Sequence, residues 1–181
     1  MTEDVNEYEL ITDAKKGNRK AYDKLVRIYR DKMFALTYRM TGDREASLDL
    51  VQDAFYNAYV NMDRFRGDSS FSSWIYRIAS NLTLNFLKRK KTIGFISLTD
   101  QPTIEPVYES HDQIANTELA GEIARIISEL PPKQKLIFNL RYYDKLPFNE
   151  IAKIQGKSES TVKTNYKKAV EKLQRGLKKF R

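Results

Sequence analysis

The stretch from Arg64 to Lys91 constrains the fold of this chain most, because its apolar residues recur at helical spacing over several turns. These residues are Phe71, Trp74, Ile75, Ile78, Ala79, Leu82 and Phe86. Side chains three and four positions apart share one face of a helix, so the pattern predicts a helix with one buried side. On another side, Arg77, Asn81 and Asn85 form a polar row that leads towards four consecutive basic residues. The helix therefore offers donors and cations beside a face that requires a core.

The same helical period recurs along most of the chain, whereas no run shows the two-residue alternation of a strand. Turn and cap residues such as Gly17-Asn18, Thr41-Gly42 and Pro131-Pro132 divide the pattern into separate helices. A chain of 181 residues is long enough for two small cores. We therefore predict an all-α fold with two small helical domains, residues 1–91 and 113–181, joined by a flexible acidic linker at residues 92–112.

Charge is distributed unevenly around the overall value of +8. Residues 1–91 contain 17 Lys/Arg and 13 Asp/Glu, and residues 113–181 contain 15 and 7. The predicted linker has four acidic residues, no Lys or Arg, and two prolines, Pro102 and Pro106. Two basic blocks on either side of an acidic segment indicate a polyanionic partner that both domains hold.

The chain has no cysteine and one histidine, His111, near the end of the predicted linker. This composition excludes disulfides and thiolate metal sites and argues against zinc and histidine-based catalysis. No nucleophile–base pair or phosphate-binding loop is visible, so we expect no enzymatic activity, no metal and no cofactor. No apolar run approaches the roughly 20 residues that span a bilayer, and the acidic start is unlike a signal peptide. We expect a cytoplasmic protein without membrane insertion.

The third predicted helix carries a row of like charges, Glu45, Asp49 and Asp53, with Gln52 and Asn57 beside it. Acids four residues apart repel each other by about a few tenths of a kcal/mol per pair, so the row does not serve helix stability. The residues alone leave two interpretations open, a solvated acidic face or a ridge that binds a basic partner. We do not expect a carboxylate metal site here, because the helical di-iron pattern needs Glu-x-x-His pairs and there are none.

The C-terminal part has the pattern of a helix-turn-helix. A short helix from Pro147 to Gln155 is followed by a turn at Gly156-Lys157 and by a longer helix that Ser158 can cap. The last helix presents a row of donors: Ser160, Lys163, Thr164, Lys167 and Lys168. Cations near phosphates and hydroxyls near base edges predict a helix that contacts the major groove of duplex DNA.

The stretch from Arg64 to Lys91 suits single-stranded nucleic acid instead. A Gly/Asp/Ser loop precedes its aromatic helix, and the helix ends in Lys88, Arg89 and two further cations. Exposed aromatics stack on bases at about 1–3 kcal/mol per base, and a loop can enclose an extruded base. Most of the aromatic pattern is nevertheless expected to be core, with Trp74 or Tyr76 at its margin.

Three sequence motifs carry a family resemblance. They are DLVQDAF at residues 49–55, FRGDSSFSSWIYRIASN at residues 65–81, and the segment from Leu130 to Leu173. Together, in this order, they resemble the bacterial sigma factors, in particular the two-domain group called extracytoplasmic-function (ECF) sigma factors. The resemblance covers nearly the whole chain. The helix-turn-helix is shared by many regulators, but the three motifs at this spacing are highly specific.

The resemblance implies a division of function between the domains. Residues 1–91 would be sigma region 2, which binds the RNA polymerase core and recognises and melts the −10 element. Residues 113–181 would be sigma region 4, whose helix-turn-helix binds duplex promoter DNA at the −35 element. The resemblance also implies an anti-sigma factor as a partner.

The resemblance and the patterns above together predict three sets of site residues. The surface for the polymerase core is expected to comprise Asp49, Gln52, Asp53 and Asn57. The surface for single-stranded −10 DNA is expected to comprise Phe65, Arg66, Gly67, Asp68, Ser69, Ser70, Trp74, Arg77, Asn81, Lys88 and Arg89. The surface for the −35 duplex is expected to comprise Ser160, Thr161, Lys163, Thr164, Asn165, Lys167 and Lys168.

Two departures from the family pattern are visible. Leu48 stands where relatives commonly have an acid, and Asn165 stands where many have an arginine. The first can alter the polymerase-binding ridge and the second the DNA sequence preference. The alternative function is a stand-alone helix-turn-helix regulator that binds duplex DNA without joining the polymerase. A divalent-ion-dependent nuclease built on the acidic row is a weaker, enzymatic alternative.

Overall fold

A computed structural model of the protein describes residues 6–94 and 118–180. Every regular element in these two ranges is helical, which confirms the all-α prediction. The helices are α1 (Glu7–Lys15), α2 (Arg19–Thr41), α3 (Arg44–Val60), α4 (Phe71–Gly94), α5 (Glu118–Ser128), α6 (Pro132–Tyr142), α7 (Phe148–Gln155) and α8 (Glu159–Gly176). Short 3-10 turns follow α3 at Met62–Arg64 and α8 at Leu177–Phe180.

The predicted linker is only partly within the described residues. Helix α4 continues to Gly94, so the first three linker residues are helical and extend the first unit. The rest of the linker, including His111, lies outside the described residues. We call α1–α4 the first unit and α5–α8 the second unit.

Cap residues set the helix boundaries where the sequence predicted them. Gly42 ends α2 in the left-handed conformation, with φ of 68°. The Asp43 side chain then accepts a hydrogen bond from the backbone N–H of Ala46, and Ser158 does the same for Thr161 at the start of α8. Each cap accepts a hydrogen bond from a backbone N–H that the helix itself leaves unpaired, which stabilises the helix by about 1 kcal/mol.

The first unit buries one face each of α2, α3 and α4. Leu25, Met33, Leu36, Phe71 and Ile75 are among its fully buried side chains. The buried Tyr22 donates its hydroxyl to the backbone carbonyl of Phe55 at 2.6 Å, which ties α2 to α3. These long side chains exclude water from a core of three helices, so α3 and α4 are held rigidly along α2.

Two large apolar side chains on α3 are exposed. Leu48 is 49% exposed and Tyr59 44% exposed. The buried positions of this helix include Ser47, Val51 and Ala54, and residues 48 and 59 lie about 100° around the helix from them. The apolar residues of α3 therefore extend around the helix beyond the face that packs on α2 and α4. Those outside that face are exposed to solvent.

The second unit has a small core of its own, formed by Ile127, Leu130, Phe138 and Ala169. Its fully buried Leu136, Leu140, Ile151, Ile154 and Val162, on α6, α7 and α8, belong to the cluster that it shares with the first unit. Helix α5 closes this core against α8 at a point where Gly176 leaves no room for a side chain. A Cβ on Gly176 would overlap with Cδ1 of Ile126.

The two units pack against each other, and their buried residues form one continuous cluster. Helix α6 contacts α2 and α4, and α7 contacts α4. At the centre, the side chain of Lys135 on α6 is 6% exposed and donates from Nζ to the carbonyl oxygen of Met40 at 3.1 Å. The second unit therefore caps the C-terminal end of α2 in the first.

Burial gives Lys135 an unusual protonation behaviour. Desolvation disfavours the charged ammonium and lowers the pKa of Lys135 to about 8 from its ordinary 10.5. Between these two pH values the unfolded chain binds a proton that the folded chain releases. The free energy of unfolding therefore increases with pH across this window.

We predict that Lys135→Met removes this pH dependence. Between pH 8 and pH 10, the free energy of unfolding of the unchanged protein should increase by about 2 kcal/mol relative to that of the Met variant, as integration of the pKa difference gives. Urea titrations of both proteins at pH 8, 9 and 10 measure this difference. An equal slope in both proteins would contradict this assignment.

Candidate nucleic-acid interface

The turn between α7 and α8 places the predicted recognition helix on the surface. Gly156 adopts the left-handed conformation with φ of 59°, which only a residue without a side chain adopts at no steric cost. The backbone N–H of Lys157 then bonds to the carbonyl of Ala152, which closes α7. Val162 and Ala169 anchor α8 in the core, so its other side faces solvent.

The predicted −35 residues lie together on this solvent side of α8. Asn165 is half-buried. The other six are exposed, namely Ser160, Thr161, Lys163, Thr164, Lys167 and Lys168. Ser158, Ser160 and Thr161 exchange hydroxyl hydrogen bonds of 2.8–3.0 Å at the start of the helix. The geometry gives one continuous face of hydroxyls and ammonium groups.

Several groups on this face are already bound within α8. Lys163 Nζ lies 2.6 Å from the carboxylate of Glu159. The Thr164 hydroxyl and the Asn165 amide each donate to a backbone carbonyl one turn earlier. These are weak surface contacts that a nucleic acid can replace, because exposed ion pairs contribute about 0–1 kcal/mol.

The predicted −10 loop is exposed except at its first residue. Arg66, Gly67, Asp68 and Ser70 are exposed and Ser69 is half-buried, and Gly67 has a left-handed φ of 80°. Phe65 was predicted to belong to the nucleic-acid surface, yet it is 6% exposed.

The ring of Phe65 belongs to the core in this structure. It lies 5.0 Å from the ring of Trp74 and 5.9 Å from that of Phe71, between ring centroids. Lys15 donates to its backbone carbonyl at 2.9 Å, so α1 also fixes this position. Phe65 therefore anchors the start of the loop in the core, and the residues that follow it form the accessible part of the loop.

Helix α4 presents a narrow polar strip. Arg77 and Asn81 are exposed, with Trp74 half-buried beside them. The expectation that Trp74 lies at the margin of the core is met, but Tyr76 is 2% exposed and was wrongly considered for the same margin. Tyr76 is covered because the second unit packs on its side of α4, and this burial raises the pKa of its phenol.

The basic end of α4 lies beside the acidic row of α3. Arg89 lines a groove of about 330 Å³ together with Glu45, Asp49 and Asp53. Lys90 is 3.8 Å from Asp43. Lys88 and Arg89 are both exposed, as a phosphate-binding role requires. The two rows are 40 residues apart in sequence, so their proximity was not predicted.

The predicted polymerase-binding residues lie on the exposed ridge of α3. Asp49, Gln52 and Asp53 are exposed, and Asn57 is half-buried. A groove of about 540 Å³ between α2 and α3 borders this ridge and is lined by Val26, Arg30, Asp31, Phe34, Arg44, Leu48, Val51, Gln52 and Phe55.

Sequence reasoning missed the apolar part of this surface. Leu48 and Tyr56, which is 65% exposed, flank the acidic ridge. A large exposed apolar side chain next to charged residues is typical of a protein interface. The sequence signal for this apolar surface was that α3 carries more apolar residues than one buried face of a helix can hold.

The described residues contain no group of three or more histidine, cysteine, aspartate or glutamate side chains placed to hold a metal ion. Within the same ranges, no helix is both long and apolar enough to cross a membrane.

Both units match models of one protein family. Residues 25–93 match the family described as sigma-70 region 2, and residues 120–173 match sigma-70 region 4. The first match runs from within α2 to the end region of α4, and the second covers most of α5 to α8. Each match falls within one unit of the structure.

Proteins of known name are similar along nearly the whole chain. The ECF RNA polymerase sigma factor SigW of Bacillus subtilis is 34% identical over 93% of this chain and 95% of its own length. The ECF RNA polymerase sigma-E factor of Escherichia coli strain K12 is 30% identical over 96% of this chain and 95% of its own.

Solved structures share the fold. CnrH, in complex with the cytosolic domain of CnrY, aligns with a TM-score of 0.70 at 20% identity over 93% of this chain and 94% of its own. The sigma factor RpoE of Bartonella quintana, in complex with the anti-sigma factor NepR, aligns with a TM-score of 0.70 at 19% identity. The alignment covers 88% of this chain and 98% of the RpoE chain. With two family matches on two helical units and relatives that are 34% and 30% identical over nearly the whole chain, the chain belongs to the ECF group of the sigma-70 family of RNA polymerase sigma factors.

Proposed function

We propose that this sigma factor binds the RNA polymerase core through α3, reads duplex DNA at the −35 element through α8, and holds unpaired −10 bases against α4 and the loop before it. The observation that carries the proposal is the presence of three exposed surfaces, one acidic and two rich in donors, on a chain of this family. The factor itself supplies binding and positioning, without a catalytic step of its own.

The surface for the polymerase core combines charge and apolar contact. Asp49, Gln52 and Asp53 supply exposed acceptors for a basic partner, and Leu48 and Tyr56 supply apolar area beside them. Complementary charge steers association, while the apolar groups contribute once water is excluded. The absence of an acid at position 48 is offset by this apolar contact.

The proposed surface for the −35 element is the exposed face of α8. Lys167 and Lys168, which are exposed, would bind phosphates. The exposed Ser160 and Thr164 and the half-buried Asn165 would contact base edges. A recognition helix uses its N-terminal residues for bases and its flanks for the backbone. The alternative, a stand-alone regulator, is not favoured because it leaves the α3 and α4 surfaces of sigma region 2 without a purpose.

The −10 surface is formed by the loop and the polar strip of α4. Arg66 to Ser70 can surround a base that leaves the stack, because the loop is exposed and its Gly67 leaves room for close approach. Arg77 and Asn81 then donate to the strand, and Lys88 and Arg89 bind its phosphates. Phe65 and Phe71 support this surface through the core.

An anti-sigma factor is the further partner that we propose. CnrH is bound to the cytosolic domain of CnrY and RpoE to the anti-sigma factor NepR in the solved structures that share this fold. A partner of this type would cover surfaces that the polymerase or the promoter needs.

Run-off transcription tests the function. Purified core polymerase and this chain should initiate at discrete sites on a pool of genomic fragments, and either component alone should not. If instead the chain binds palindromic duplex DNA as a dimer and initiation never depends on it, the stand-alone regulator is supported.

We predict that Asp49→Lys with Asp53→Lys weakens binding to core polymerase by about 100-fold or more, because like charges facing each other across an interface cost several kcal/mol. Fluorescence anisotropy of the labelled factor measures the affinity. The matched control is Asp13→Lys with Asp23→Lys, an equal charge change at exposed positions on α1 and α2. Unchanged affinity in the α3 variant, or equal loss in the control, would reject the assignment.

We also predict that Lys167→Ala with Lys168→Ala weakens binding to a −35 duplex and flattens its salt dependence. Each lost phosphate contact should reduce the slope of log K against log salt by about 0.9, or about 2 for the pair. The control is Lys24→Ala, exposed on α2. A slope that stays the same in the double variant would remove these lysines from the phosphate contacts.

A further inference from the structure

We propose that Lys15, at the end of α1, is a positioning residue for the exposed loop of residues 66–69 and sets the shape in which that loop holds an unpaired −10 base. Lys15 acts through the backbone of Phe65 and does not itself touch the nucleic acid. The inference rests on the proposed function, in which this loop surrounds a base that leaves the stack. It gives a role to α1, which precedes residues 25–93 that match sigma-70 region 2.

The loop has no side-chain bonds of its own that would set its shape. Within the described part of the chain, no side-chain hydrogen bond or ion pair involves Arg66, Asp68 or Ser69. Gly67 reverses the direction of the chain with a φ of 80°. The shape of the loop therefore depends on where its two ends are held.

Both ends of the loop are held by hydrogen bonds. After the loop, the Ser70 side chain caps α4 by accepting from the backbone N–H of Ser73 at 3.1 Å. Before the loop, Lys15 Nζ donates to the backbone carbonyl of Phe65 at 2.9 Å. This second bond joins residues 50 positions apart, so it makes the start of the loop depend on the position of α1.

Helix α1 can act as an anchor because it is itself bound to the core. Leu10 and Ala14 bury its inner face. At the start of the helix, Glu7 accepts a hydrogen bond from the hydroxyl of Tyr29 at 2.9 Å. The backbone of Lys15 therefore has a defined position, and its side chain holds the Phe65 carbonyl from that position.

The bond from Lys15 also determines how the Phe65 ring packs. That ring lies 5.0 Å from the ring of Trp74 and 5.9 Å from the ring of Phe71, between centroids. Trp74 is half-buried at the edge of the polar strip on α4. Without the bond, the Phe65 backbone gains freedom and its ring covers Trp74 less closely.

A loop of defined shape distinguishes bases better than a mobile one. A preformed site loses little conformational freedom when a base enters, so its contacts contribute fully to selectivity. A hydrogen bond from an ammonium group is also stronger than one between neutral groups. Loss of the Lys15 bond should therefore reduce discrimination between bases and leave the attraction for phosphates unchanged.

The fluorescence of Trp74, the single tryptophan of the chain, tests the anchor in the free full-length protein. Lys15→Met should raise the acrylamide quenching constant by about 1.5-fold or more, because a loosely packed Phe65 ring leaves more of the indole accessible. Lys16→Met, the same charge change at the exposed neighbouring residue, should leave it unchanged. Lys15→Arg should also preserve it, since a guanidinium can donate to the same carbonyl. Unchanged quenching in Lys15→Met would overturn the proposal.

Base selection by the holoenzyme tests the consequence for the −10 element. Core polymerase with each variant forms open complexes on a pool of one promoter in which every −10 position carries all four bases. Asp68→Ala identifies the position that the loop holds. There, Lys15→Met should lose about ten-fold of the enrichment, the equivalent of one charge-assisted hydrogen bond. Lys16→Met and Lys15→Arg should retain it, and preferences at −35 should not change.

Salt dependence separates positioning from a direct phosphate contact. A lysine that binds a phosphate contributes about 0.7–0.9 to the slope of log K against log salt for promoter binding. The slope for Lys15→Met should equal that of the unchanged factor. A smaller slope would overturn the positioning role, because Lys15 would then bind DNA itself.

Two further outcomes separate this inference from the proposed function. Full base preference in Lys15→Met, despite increased quenching of Trp74, would overturn the positioning role while the proposed function stands. If the unchanged factor shows no base preference at −10, the proposed function fails, and the fluorescence result still decides whether Lys15 anchors the loop.

Discussion

Burial of α4 on two sides is the interaction on which the rest of the structure depends. Phe71, Ile75 and Ala79 pack into the core of the first unit, while Ser73 and Tyr76 are covered where the second unit adds its helices. What remains exposed is the strip that carries Arg77 and Asn81. Because two sides are fixed by packing, this strip and the loop before it have one orientation, which a base-binding surface requires.

Positive and negative side chains lie on different surfaces of the molecule. Cationic groups concentrate on the free side of α8 and at the end of α4, whereas α3 carries a row of carboxylates. Where the two meet, at Arg89 and the acids of α3, the cation and the carboxylates line one groove. A partner that binds the acidic ridge therefore also changes the electrostatic environment of a residue proposed to bind phosphate. This proximity offers a direct physical link between polymerase binding and −10 binding.

Much of the fold followed from local rules. Periodicity, caps and turn residues located α2, α3, α7 and α8, because these signals depend on neighbours in sequence. The exposed row on α8 was likewise predictable from spacing. The errors have a common cause, which is packing between distant segments. Phe65 is buried because α1 and α4 close over it, and Tyr76 is buried because the second unit covers it. No local pattern contains that information.

The contact between the units illustrates the same limit. Arg39 and Asp144 are 105 residues apart and each would be expected at the surface. Lys135 was equally unremarkable in sequence, yet burial changes its pKa. Family resemblance gave the roles of the two units without specifying how they pack. The orientation depends on complementary shape and on a few polar pairs, which become visible only in three dimensions.

The central claim is that this factor holds unpaired −10 bases, and permanganate reactivity of thymines tests it most directly. On a promoter fragment located by run-off mapping, core polymerase with this factor should make thymines around −10 reactive, and replacing Asn81 and Arg77 by alanine should suppress that reactivity while −35 protection persists. Thymines that remain unreactive in a complex that protects the −35 element would contradict the account, because the α4 surface would then bind only duplex DNA.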